Sequence, residues 1–146
     1  MEKLLKIQKD LKVPKGQTNK FGGYRYRSCE DIVEAAKPIC HAEGLILLLS
    51  DKVEEIGGKN YVCATAALTD GKTRIEVTAY AREADQQKGM SESQLTGATS
   101  SYARKYALNG LFAIDDTADA DATNDHGKAT KANEDPNLSA DDIPFR

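Results

Sequence analysis

Two glycine-bearing breaks, Gly57-Gly58 and Asp70-Gly71, cut residues 45–82 into three extended segments. Breaks of this kind join neighbouring antiparallel strands, because glycine takes the positive φ that matches strand twist. The first strand is expected over Leu45–Ser50 with continuation to Ile56, the second over Asn60–Thr69 and the third over Lys72–Arg82. In the third, Ile75, Val77, Ala79 and Ala81 alternate with Arg74, Glu76, Thr78 and Tyr80. Period-2 alternation puts the apolar set on one face. The outcome is an antiparallel meander with one face for the core and one for water or a ligand.

The flanking segments read as helices. Residues 1–12 place Leu4, Leu5, Ile7 and Leu11 among Lys3, Lys6, Lys9 and Lys12, so a short helix carries a broad basic face and Pro14 ends it. Lys15–Gly23 is polar and glycine-bearing, hence a loop. Tyr24-Arg25-Tyr26-Arg27 alternates like a strand, with both rings on one face and both guanidiniums on the other. Ser28, with Asp31 three residues on, has the form of a capping box. Ile32, Ala35, Ala36, Ile39 and Cys40 then line one helical face, Pro38 is expected to kink the helix and Gly44 to end it. A final helix is expected from about Ser91, capped with Gln94, to Phe112. Its stripe of Leu95, Ala98, Tyr102, Ala103, Tyr106, Ala107 and Gly110 should cover the sheet, with Arg104 opposite and Lys105 on the flank. From Asp115 the periodicity stops, and residues 115–146 read as a disordered acidic tail. The fold class expected is therefore α+β, with one domain over residues 1–114.

Charge is unevenly spread. Residues 1–112 carry 17 Lys and Arg against 14 Asp and Glu, whereas residues 113–146 carry 3 against 9. The first 27 residues alone hold 8 basic side chains against Glu2 and Asp10. A basic front suggests an anionic partner, and the acidic end can compete for the same surface. Cys29, Cys40 and Cys63 are odd in number with no CxxC spacing, which fits buried thiols in a reducing compartment. No apolar run is long enough to span a membrane and no secretory pattern precedes the first helix, so a cytoplasmic place is expected. His41 and His126 lack a ligand set. Asp115, Asp116, Asp119 and Asp121 have oxygen ligands for a hard cation but not the EF-hand spacing. No metal, cofactor or catalytic motif is expected.

Nucleic-acid binding suits the residues better. Lys15, Lys20, Arg25 and Arg27 set cations beside Tyr24 and Tyr26. Arginines neutralise phosphates, and rings stack on unpaired bases. The alternative is a strand with core tyrosines and solvated arginines. Tyr102 and Tyr106 sit mid-stripe, which favours core packing. Arg104 and Lys105 point off that stripe, either to track a nucleic-acid backbone or as a solvated pair.

Two blocks look familiar. Gln94–Ile114, QLTGATSSYARKYALNGLFAI, followed by Asp115-Asp116 and Asp119, resembles the signature of the ERF family of phage recombination proteins. Residues 24–39, YRYRSCEDIVEAAKPI, resemble the family's entry to its first core helix. The resemblance covers about residues 1–120. It implies a non-catalytic single-strand annealing protein that coats single-stranded DNA and pairs complementary strands without ATP. It also implies a core of helix, β-meander and helix like that of the Rad-type annealing proteins, assembled as a homo-oligomeric ring or filament. Arg104 and Lys105 match the basic positions that line the DNA groove in those relatives. At the other end, Asp141, Asp142, Ile143, Pro144 and Phe145 are similar to the tip of bacterial single-stranded DNA-binding protein, which recruits replication and repair enzymes. Arg146 departs from that pattern, in which Phe bears the free carboxylate. Two rival functions remain: a simple single-stranded DNA-binding protein that does not anneal, and a nuclease using Asp115, Asp116 and Asp119 with magnesium.

Overall fold

The computed structural model describes residues 1–19, 22–85 and 88–115. Their order is α1 (Glu2–Asp10), β1 (Gln17–Thr18), β2 (Arg25–Tyr26), α2 (Cys29–Ala42), β3 (Ile46–Ile56), β4 (Lys59–Thr69), β5 (Arg74–Arg82) and α3 (Glu92–Phe112). The fold is α+β, and its main sheet is an antiparallel meander in the order β3-β4-β5. Gly57 and Gly58 take φ of 59° and 78°, and Ile56 pairs with Lys59 across them, as a two-residue primed turn requires. The second turn is longer than the Asp-Gly pair suggested. Thr69 pairs with Arg74, so Asp70–Thr73 form a four-residue loop and β5 starts two residues later than expected. The cause is the Asp70 carboxylate, which accepts from the backbone N–H groups of Lys72 and Thr73 at 2.8 Å each. Those bonds hold its pKa down, to about 2.

Register assigns the faces. Leu47, Leu49, Asp51 and Val53 on β3 align with Leu68, Ala66, Ala64 and Val62 on β4, and these with Ile75, Val77, Ala79 and Ala81 on β5. This face lies under α3. The small side chains Ala64, Ala66, Ala103 and Ala107 are fully buried, so helix and sheet approach closely. At Gly110 a Cβ would come within 2.9 Å of Val77 Cγ1, and glycine is required there for that approach. Leu108, Leu111 and Phe112 are buried with Ile7, Ile32, Ala36 and Cys40. The helix is thus apolar on two sides, one toward the sheet and one toward α1 and α2, rather than along the one stripe expected. Gln8 of α1 closes this junction by donating to the Leu111 carbonyl at 2.8 Å. Tyr102 and Tyr106 are only half-buried.

The helix ends follow local chemistry. Ser28 and Asp31 form the reciprocal capping box, as do Ser91 and Gln94. Helix α2 runs through Pro38 to Ala42. Gly44, with φ of 74°, then ends it: its N–H reaches the His41 carbonyl at 3.0 Å and Leu45 N–H the Cys40 carbonyl at 2.9 Å. All three cysteines are free and buried. Among the described residues no helix is long and apolar enough to cross a membrane, and no cluster of His, Cys, Asp and Glu is placed to hold a metal ion. The tail from residue 116, Asp116, Asp119 and Asp121 included, lies outside the described residues.

Candidate nucleic-acid interface

The segment expected to be a loop before Tyr24 is half of a small hairpin. Gln17 pairs with Tyr26 and Thr18 with Arg25. Asn19 builds the turn. Its backbone N–H donates to the Tyr24 carbonyl at 2.8 Å, its Oδ1 accepts from Gly22 N–H at 2.8 Å and its Nδ2 donates to the Tyr24 hydroxyl at 3.1 Å. The Tyr24 ring packs against Gly22, where a Cβ would come within 2.5 Å of it. Tyr24 is therefore a structural residue of the hairpin, with 6% exposure.

The short strand also redirects the arginines. Period-2 alternation holds only for Arg25–Tyr26. Arg25 is exposed and donates from Nε to the Lys15 carbonyl at 2.9 Å, while the Lys15 side chain is half-buried. Arg27 leaves the strand for the α2 junction and is 8% exposed. Its Nε donates to the Val13 carbonyl at 3.1 Å and its Nη1 to the Asp115 carbonyl at 3.5 Å. The two guanidiniums do not share a solvent face, contrary to the expectation from alternation. Lys20 and Asp141–Phe145 lie outside the described residues.

On α3 the two cations also differ. Lys105, expected on an open flank, is 3% exposed, and its Nζ lies 5.5 Å from the centroid of the Tyr26 ring. The ring faces the cation with its negative quadrupole. This contact joins the hairpin to α3, 79 residues later in sequence. Arg104 is more open, its side chain 36% exposed, but it is not alone. Asp51 of β3 accepts from Arg104 Nε at 2.9 Å and from the Ser100 hydroxyl. Partial burial would raise the Asp51 pKa, but the hydrogen bonds from Arg104 and Ser100 and the guanidinium charge outweigh it and hold the carboxyl below its usual range. Asp51 thus stays ionised at neutral pH, and its charge opposes that of the arginine.

Between hairpin, α2 and α3 lies an open cavity of about 270 Å³. Tyr26, Arg27, the α2 start at Ser28–Glu30, and Ala98, Ser101, Tyr102 and Lys105 of α3 line it. Burial pushes the Cys29 thiol up to about 11, with the Glu30 charge adding to the effect, so the cavity wall offers no thiolate at neutral pH. A second cavity of about 310 Å³ has Tyr80, Arg82, Met90, Leu95 and Tyr106 in its wall. Ala98 and Tyr102 border both cavities. The cavity beside the hairpin, with Tyr26, Tyr102, Arg27 and Lys105 in its wall, is thus a trough that gathers rings and cations from separate segments. Rings can stack on bases, and cations can balance phosphates.

The model of the ERF superfamily matches residues 1–142. The chain belongs to the ERF superfamily. Similarity extends to the Essential recombination function protein of Salmonella phage P22, which is 53% identical over 130 residues. The aligned part covers 89% of this chain and 62% of the phage P22 protein, so this ERF chain spans less than two-thirds of that relative. No solved structure matches it significantly.

Sequence reasoning missed several members of the trough. Tyr26 was grouped with a strand face, and the Lys105 contact gives it a role that alternation did not reveal. Ser101 and Ala98 are small residues whose value is the space they leave. Asp51 had a readable signal. It shares parity with Leu47 and Leu49, so a strand puts a carboxylate on the apolar face, where it needs a partner.

Proposed function

We propose that this ERF-superfamily chain binds single-stranded DNA and anneals complementary strands in phage recombination, without ATP and without a catalytic step. The carrying observation is the Lys105–Tyr26 contact, which joins the aromatic-basic hairpin to α3 beside one open cavity. Family membership and the recombination function named for the phage P22 relative support the same reading. In this reading Arg25 and Arg104, the more open cations, meet phosphates. Lys15 and Lys20 add basic charge for the strand's phosphates. Arg27 and Lys105 keep the trough positive from within, and Tyr24 holds the hairpin in shape. Residues 1–114 form the annealing domain, and homo-oligomers, as a ring or filament, extend the trough so that weak contacts add. Base pairing supplies the specificity, and the protein supplies alignment and charge screening. The terminal Asp141–Phe145 segment recruits host replication or repair proteins.

The reading is tested by fluorescence anisotropy of a labelled single strand, titrated at several salt concentrations. Affinity should fall with salt, and Arg104→Ala should lower the slope of log K against log salt by about 0.7 for one lost phosphate contact. Salt-insensitive binding, or a slope unmoved by Arg104→Ala in a folded protein, contradicts the proposed site.

A further inference from the structure

We propose that the cavity between the hairpin and α3 takes a single unstacked nucleobase of the bound strand. This deepens the single-strand-binding reading and rests on it. The cavity could in principle serve a phosphate, because Arg27 and Lys105 are in its wall. Its other features favour a flat and uncharged group. Lys105 is nearly covered and lies over the Tyr26 ring, and Arg27 is turned onto two backbone carbonyls. Glu30, exposed at the start of α2, brings a carboxylate to the rim that repels an anion and accepts from a donor such as a base amino group. The Tyr102 ring, half-buried in the wall, is the group on which a base would stack, and the Tyr26 ring, already against Lys105 and Tyr24, adds an aromatic wall. Ala98 and Ser101 leave the space between them on the α3 side, and the volume of about 270 Å³ is below that of pockets for drug-sized ligands but adequate for one ring system.

The more open cations stand outside the cavity wall: Arg104 is turned onto Asp51, and Arg25 lies on the face of β2 opposite Tyr26 and donates to the Lys15 carbonyl. They are left to meet the phosphates of the strand outside the cavity. One inserted base per subunit fixes the strand in register while the other bases remain outward for pairing. No covalent step is involved.

The test compares a single strand with an abasic strand of equal length and phosphate count. Wild-type protein should prefer the base-bearing strand by at least about five-fold, the lower end of what one stacked base contributes. Ser101→Trp, at an exposed helix position, fills the cavity, and Tyr102→Leu removes one stacking face. Both variants should bring the preference toward one while their salt slopes stay at the wild-type value. An unchanged preference in folded Ser101→Trp protein overturns the base site and leaves phosphate binding intact. Loss of salt slope together with the preference also overturns it, because the cavity would then be a phosphate site. If neither strand binds the wild type, the single-strand reading itself fails and the base site with it.

Discussion

Replacing Asp51 by Asn should make DNA binding tighter and more salt-sensitive. Asp51 is a full negative charge 2.9 Å from Arg104, and its depressed pKa keeps it ionised at neutral pH. A phosphate arriving at Arg104 comes within roughly 6 Å of that carboxylate. At an effective dielectric between 80 and 20, the repulsion is about 0.7–3 kcal/mol, which corresponds to about 3- to 100-fold in affinity. Asn keeps its oxygen as acceptor for Arg104 Nε, and its NH2 can donate to the Ser100 hydroxyl oxygen with the direction of that bond reversed, so the geometry is retained. Arg104 already counts as one phosphate contact, so its release from Asp51 should raise the salt slope by less than the about 0.7 of a whole further contact. The stability cost is small, because Arg104 is partly exposed and such pairs contribute about 0.2–1 kcal/mol. Its pH dependence has a definite sign. The folded pKa of Asp51 lies below its ordinary value of 3.8, so the pair's contribution is complete above that value and is lost as pH falls through the lower folded value. Wild type and Asp51→Asn should thus differ uniformly from pH 5 to 8, by about the same factor throughout. Anisotropy titrations at three salt concentrations, with thermal melts as control, measure all of this. Unchanged affinity and slope in folded Asp51→Asn protein would refute the argument that a strand competes with Asp51 for Arg104.

The arginines of the hairpin should separate cleanly. Arg25→Ala should weaken strand binding and leave stability within about 1 kcal/mol, whereas Arg27→Ala should cost about 1.5–3 kcal/mol in chemical denaturation because a buried charged donor is lost from two carbonyls. Equal stabilities would show that Arg27 is not structural. Gly110→Ala should destabilise by up to about 2 kcal/mol, since the overpacking cost of 1–3 kcal/mol against stiff Val77 exceeds the helix-propensity gain of about 1 kcal/mol; a matching Val77→Ala change should relieve it. Additive losses in that pair would deny the contact. Truncation after Asp116 should raise affinity at low salt, because the following residues hold the acidic excess and Asp115 leaves α3 beside Arg27; the gain should shrink as salt rises. A labelled peptide of residues 135–146 should bind a host replication protein and lose that binding with Phe145→Ala; binding indifferent to Phe145 removes the recruitment role.

The parts of the fold legible in the sequence are those set by local chemistry. Gly57-Gly58, Ser28 with Asp31, Ser91 with Gln94, and Gly44 each fix a backbone feature within a few residues, and all four are found. The alternation of Ile75, Val77, Ala79 and Ala81 also reports the buried face correctly. What escaped depends on partners distant in sequence. The β1–β2 hairpin has two residues per strand and is held by Asn19 and the Tyr24 ring, so it has no periodicity to read. The second apolar side of α3 needs α1 as a neighbour, through Gln8 and Ile7. Arg27 and Lys105 are covered because the chain brings Val13, Asp115 and Tyr26 onto them. Composition read them as solvated or ligand-facing cations, and neither option included a cation placed within a wall.

The central claim is tested most directly by mixing two complementary labelled single strands with the full chain, without nucleotide, and following energy transfer between the labels. Pairing should run faster than in the protein-free control, peak at protein sufficient to coat the strands, and slow in Arg104→Ala. Intact strands that bind protein but never pair faster than the control would make this a strand-covering protein, and shortened strands in the presence of magnesium would make it a nuclease; either result contradicts annealing.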